Sequence, residues 1–266
     1  MSTVTSRVNA KFNADSVSVS FSRSGLEQCA DSGSYFGADG GCDVRPICYS
    51  TTMESRFPGL DRKLERHEQM GFQVVCEQAT RELKDLAGSH VSWFRFSTHG
   101  SFPERRLSLR ELIALMKLCK AIVGHVNPNG TSVKVHCPIE GRPKAEYYAP
   151  IFARFDIVVR ASIDNQSFVD GDLLQFVDDP TCSTVADVPV GPQRIKRRLQ
   201  QAFSMARSRR ISNGTRVYVC PHESYSLKTK TAKKDMPSTL KCGIDIDGKG
   251  CDLCSRNDID GIVFIA

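Results

Sequence analysis

Apolar residues recur along this chain at two spacings, and the alternation between them sets the expected architecture. Residues 16–22 (SVSVSFS) alternate apolar and small polar side chains, the period of a half-buried strand. Residues 60–69 are charged and helical in pattern. Residues 72–86 carry Val75, Ala79, Leu83 and Leu86 at helical spacing, with Gly88 as the stop. A strand follows at 91–96, centred on Trp93 and Phe94. Residues 109–123 form an amphipathic helix for which Ser108 is the N-cap. Further strands are expected at 131–136, 156–161, 173–177, 216–219 and 262–265, and a short helix at 144–152 that Pro150 threatens to interrupt. Pro192 opens a helix to about 209 with Ile195, Leu199, Phe203 and Ala206 as its apolar stripe.

Strands alternating with helices predict an α/β fold, a parallel sheet or partial (βα) barrel, followed by a cysteine-rich, coil-rich C-terminal tail. The expected organisation is a flexible N-terminus over 1–15, an α/β core with an N-terminal cysteine loop over 16–220, and a metal-binding tail over 221–266.

Composition narrows the class. With 266 residues, 40% hydrophobic and 25% charged, the chain can build a real core. The first dozen residues are polar and no stretch reaches the roughly 20 apolar residues of a membrane span, so a cytoplasmic protein without a membrane partner is expected. Eleven cysteines is a high count. In a reducing compartment clustered cysteines bind metal more often than they pair as disulfides.

Two clusters stand out. Cys29, Cys42 and Cys48 lie in a Gly/Ser/Asp-rich stretch over 24–45 and just beyond, between the first strand and the first helix. Three thiols there would hold a four-iron cluster with one open position, the alternative being ordinary thiols in a loop. Cys220, Cys242, Cys251 and Cys254 make up the second cluster, and its Cys-x2-Cys pair lets two sulfurs reach one tetrahedral ion. Spacing does not separate zinc from an iron–sulfur cluster, and His222 is a possible substitute ligand. Cys76 and Cys119 sit within helical patterns and are expected to be inert buried thiols.

Other candidates lie where strands are expected to end. Arg95, His99, Gly100 and Ser101 follow one strand, His136-Cys137 the next, and Arg160-Ala161-Ser162 the one after. In an open α/β sheet such ends converge on an active site; a solvated turn is the plainer reading of His99. Arg194, Lys196, Arg197, Arg198, Arg207, Arg209 and Arg210 form a basic run without an acid, extended by Lys228, Lys230, Lys233 and Lys234 in a chain of net charge +6. Such a run either neutralises nucleic-acid phosphates or is a solvated helix face.

Taken in order, Cys29…Cys42…Cys48-Tyr49-Ser50, then Arg95-Phe96-Ser97-Thr98-His99-Gly100-Ser101-Phe102, then Cys220-Pro221…Cys242-Gly243…Cys251-Asp252-Leu253-Cys254 with Ile262-Val263-Phe264, the chain resembles the gene-product-eighty-eight-like proteins of bacteriophages. It departs from them where Cys29 lacks a following proline and Ser101 stands in place of an aspartate. The plan of that family is similar to radical S-adenosylmethionine enzymes. The resemblance implies a cluster on Cys29, Cys42 and Cys48 that cleaves S-adenosylmethionine, a second centre in the tail, a catalytic rim at Arg95, His99 and Ser101, and a home in the host cytoplasm. The rival expectation is a zinc-stabilised nucleic-acid-binding protein that uses the 194–210 helix.

Overall fold

A computed structural model describes residues 3–7, 13, 15–22, 58–96, 102–103, 105–140, 142–163, 182–188, 216–232, 235–259 and 261–265. The described chain is an α/β fold that divides into two compact units, residues 1–8 with 15–133, and residues 9–14 with 134–266. Among the described residues no helix is long and apolar enough to cross a membrane.

In the first unit β1 (Thr5–Arg7) pairs antiparallel with β2 (Val17–Val19), and β2 pairs parallel with β3 (Trp93–Phe96). Two helices separate β2 from β3: α1 (Pro58–Met70) and α2 (Phe72–Asp85). The expected apolar stripe of α2 is buried through Val75, Ala79 and Leu83. It packs on α3 (Leu109–Val123), which buries Ala114, Leu115, Leu118, Cys119 and Ile122. Ser108 caps α3, as its position predicts. Its hydroxyl accepts from the Glu111 N–H while the Glu111 carboxylate accepts from the Ser108 N–H at 2.8 Å, a reciprocal capping box. Phe21, Phe72 and Phe102 pack as tilted rings 4.5 to 6.2 Å apart.

The N-terminus, expected to be loose, contributes β1 because three bonds hold it. The Glu82 carboxylate accepts from the N–H groups of Val4 and Thr5, both at 2.8 Å, and from the Thr5 hydroxyl at 2.6 Å.

The second unit begins with β4 (Lys134–Glu140), α4 (Arg142–Ala153) and β5 (Val159–Ile163), with β4 and β5 parallel. Next come β6 (Cys182–Val188), β7 (Val217–Val219), α5 (Pro221–Thr229), the two-residue strands β8 (Gly243–Ile244) and β9 (Gly250–Cys251), and β10 (Gly261–Ile265). The sheet runs β4-β5-β6-β10-β7, each neighbouring pair parallel. The last strand of the chain therefore lies between two earlier ones. The tail, expected to be mostly coil, supplies this strand, a helix and a hairpin.

Two expected strand ends move. His136 and Cys137 were expected to close a strand; β4 instead starts at Lys134 and runs to Glu140, which puts them in its interior. Val135, His136, Cys137 and Ile139 are all buried, so both faces of β4 are covered, as parallel strands require. Arg160 was expected at the C-terminal end of its strand and is the second residue of β5. The cause is Asp156, whose left-handed φ of 57° turns the chain after α4 and delays the strand. Pro150 lies inside α4 without ending it.

Candidate metal centre

Cys220 follows β7 and is the N-cap residue of α5, whose first residue is Pro221. A proline is tolerated there because that N–H has no helical partner. One residue on, His222 Nδ1 lies 3.2 Å from the Leu240 carbonyl, so this nitrogen donates and the start of α5 is tied to the segment entering the hairpin. Leu240 closes a short 3₁₀ turn, Ser238–Leu240.

The hairpin itself brings two thiol-bearing residues together. Gly243 and Cys251 are antiparallel partners, the backbones of Cys242 and Cys251 also meet in a single β-bridge, and the Cys251 N–H donates to the Lys241 carbonyl at 2.8 Å. Asp245 builds the connecting turn: its Oδ1 accepts from the N–H of Asp247 at 3.1 Å and of Lys249 at 2.7 Å. Gly250 has a φ of +144°, and a Cβ there would run into the Gly243 carbonyl. Glycine is thus needed for the two strands to meet.

Beyond β9 the chain forms a second 3₁₀ turn, Leu253–Ser255, which carries Cys254. Arg160 holds this turn from β5. It is fully buried, and its Nε donates to the Cys254 carbonyl at 3.0 Å. Nη1 donates to the Ile259 carbonyl at 2.8 Å, and Nη2 to the carbonyls of Leu253 at 3.2 Å and Arg256 at 2.6 Å. Asn13 holds the other half. Its backbone N–H donates to the Cys242 carbonyl at 3.1 Å, and its side-chain Nδ2 to the Gly243 carbonyl at 2.8 Å. Lys134 pairs with Asp252 at 3.7 Å.

Cys220, Cys242 and Cys254 are buried, and Cys251 is half-buried. Among the described residues no three His, Cys, Asp or Glu side chains already stand in a metal-holding group. The backbone brings Cys242 beside Cys251, with Cys254 three residues on, while Cys220 is linked to them through the contact of His222 with Leu240.

The remaining candidates divide simply. Cys76 and Cys119 are fully buried on α2 and α3, where burial pushes both thiols up, so they behave as packing residues. Arg95 lies on β3 opposite Ser18 of β2 in register. His99 and Ser101, Cys29, Cys42 and Cys48, the 173–177 strand, and Arg194, Lys196, Arg197, Arg198, Arg207, Arg209 and Arg210 lie outside the described residues. Sequence reasoning missed the supporting roles of Asn13 and Arg160. Asn13 carries no pattern that would reveal it. Arg160 does: it is a lone charge following the apolar run 157–159, and a charge in such a place needs partners.

No protein-family model, curated protein or solved structure matches the chain.

Proposed function

We propose that this is a metal-binding protein whose C-terminal segment takes a thiolate-ligated centre, a zinc ion or an iron–sulfur cluster, on Cys220, Cys242, Cys251 and Cys254. The observation that carries the reading is the backbone pairing of Cys242 with Cys251 at the mouth of a hairpin that leads straight to Cys254. Zinc–sulfur bonds of about 2.3 Å require the four sulfurs to gather. Loading completes a convergence that the hairpin and the His222 contact with Leu240 begin. The centre's part is structural in this reading: it staples a segment whose elements are two or three residues long. S-adenosylmethionine chemistry would rest on Cys29, Cys42 and Cys48 and forms no part of this reading.

The test is elemental analysis of zinc, iron and acid-labile sulfide on protein purified without oxygen. About one centre per chain is expected, lost in Cys242→Ser/Cys251→Ser. A wild-type chain that retains neither metal nor sulfide and takes up neither on reconstitution overturns the reading.

A further inference from the structure

We infer that Arg160 and Asn13 are the positioning residues of the thiol site, fixing the main chain of its two halves before any metal arrives. The inference rests on the metal-centre reading above.

Arg160 is the stronger element. An arginine is rarely buried, because moving a guanidinium out of water is costly unless its donors are satisfied. Here they are turned on a single short loop, reaching the carbonyls of Leu253, Cys254, Arg256 and Ile259. One of these is the carbonyl of a proposed ligand itself. Only a planar fork with five donors spans four carbonyls in this way; a lysine ammonium is a compact point with three donors. Without the fork these four carbonyls would lose their donors, so the path of the loop depends on it. A buried cation has a further use beside thiolates, since zinc on four of them carries net negative charge.

Asn13 does the same for the first half with a neutral group. Its two bonds fix the Cys242 and Gly243 carbonyls, and so the strand that faces Cys251. The two residues approach the site from chain segments far apart in sequence. Each touches the main chain at or beside a cysteine and leaves the thiols to the ligand. Partners of this kind, which orient ligands without binding metal, typically change affinity by about 10–100-fold when removed.

The experiment uses the full chain, stripped of metal by a chelator, with zinc itself as the probe. Two quantities are read: zinc affinity by competition with a chromophoric chelator, and amide exchange across residues 250–259 and 241–244 in the metal-free protein. Arg160→Lys is expected to speed exchange in 250–259 and to weaken zinc by about tenfold or more. Asn13→Ala is expected to loosen 241–244 and to weaken zinc less, because its backbone bond to Cys242 survives. Asn13→Ala decides the matter if the arginine variant does not fold. Unchanged zinc affinity in the folded variants overturns the positioning roles and leaves the metal centre standing. A lower melting temperature with unchanged local exchange and affinity does the same. Failure of the wild-type chain to bind zinc, iron or a cluster overturns the metal centre and this inference with it.

Discussion

Glu111 shows how one side chain can carry several tasks. Its carboxylate caps α3 through Ser108 and receives a two-pronged bond from Arg105 at 2.7 and 2.8 Å. The Arg105 bonds, and after them those of Ser108, outweigh the opposing effect of burial and bring the carboxyl from 4.5 down to about 2. A carboxylate depressed on folding stabilises above its unfolded pKa, and that contribution disappears as pH falls through the folded value. The window is thus from about 4.5 down to about 2. Arg105 is mostly exposed, so solvent screens the ion pair and its worth in stability is discounted accordingly. Glu111→Gln is expected to cost about 1 kcal/mol at pH 7 and close to nothing at pH 2. Urea unfolding at both pH values checks this; an equal cost at each would mean that the carboxylate's charge is not what matters. His67 responds at a higher pH. Burial lowers its pKa while Nδ1, 2.7 Å from the Ser20 carbonyl, pulls the other way. Its contribution is therefore present when neutral and is lost on acidification below the usual imidazole range.

At the scale of elements, the β8–β9 hairpin depends on one glycine. Gly250→Ala would force a side chain into the Gly243 carbonyl at a backbone angle that L-residues avoid. It is expected to separate Cys242 from Cys251, to cost about 1–3 kcal/mol locally, and to reduce metal retention as far as removing a ligand does. Metal content of Gly250→Ala beside Gly248→Ala checks the point. Gly248 is also at positive φ but has open space around it, so that variant is the control for strain without collision. The same hairpin shows what was readable in advance. The helices α2 and α3 were legible because an apolar period runs through each and a capping box opens α3, and α1 because its charged residues are good helix formers. β6 was not: the apolar residues of Cys-Ser-Thr-Val-Ala-Asp-Val do not alternate, and its strand identity comes from neighbours on both sides. α5 was hidden because its sequence, Pro-His-Glu-Ser-Tyr-Ser-Leu-Lys-Thr, has no apolar stripe. β1 is made by Glu82, a residue distant in the chain. Of the candidate metal site, the cysteines were visible and Arg160 stood out as a charge after an apolar run, but the remote carbonyls that it and Asn13 hold leave no local pattern.

Within the second unit as a whole, the decisive fact is the place of β10. It is the last strand in sequence, yet it pairs with β6 through Gly261–Ile265 and with β7 through Gly261 to Val263. Ile262, its second residue, is buried. Until β10 docks, the edges of β6 and β7 that it pairs with stay open. Open strand edges are templates for aggregation. The thiol segment lies directly before β10 in the chain, and the Ile259 carbonyl held by Arg160 is two residues from the strand. Docking of β10 and ordering of the Cys251–Cys254 loop should therefore be coupled. Ending the chain after Ile259 is expected to remove amide protection from 182–188 and 217–219, to promote aggregation, and to speed exchange in 250–259. Ile262→Ala, which keeps the backbone but empties a buried position, is expected to cost about 2–5 kcal/mol and to loosen the same segments in proportion. Hydrogen exchange on both variants checks the coupling: loss of sheet protection while 250–259 stays protected would show that the thiol loop is ordered by Arg160 and Asn13 without help from the strand that follows it.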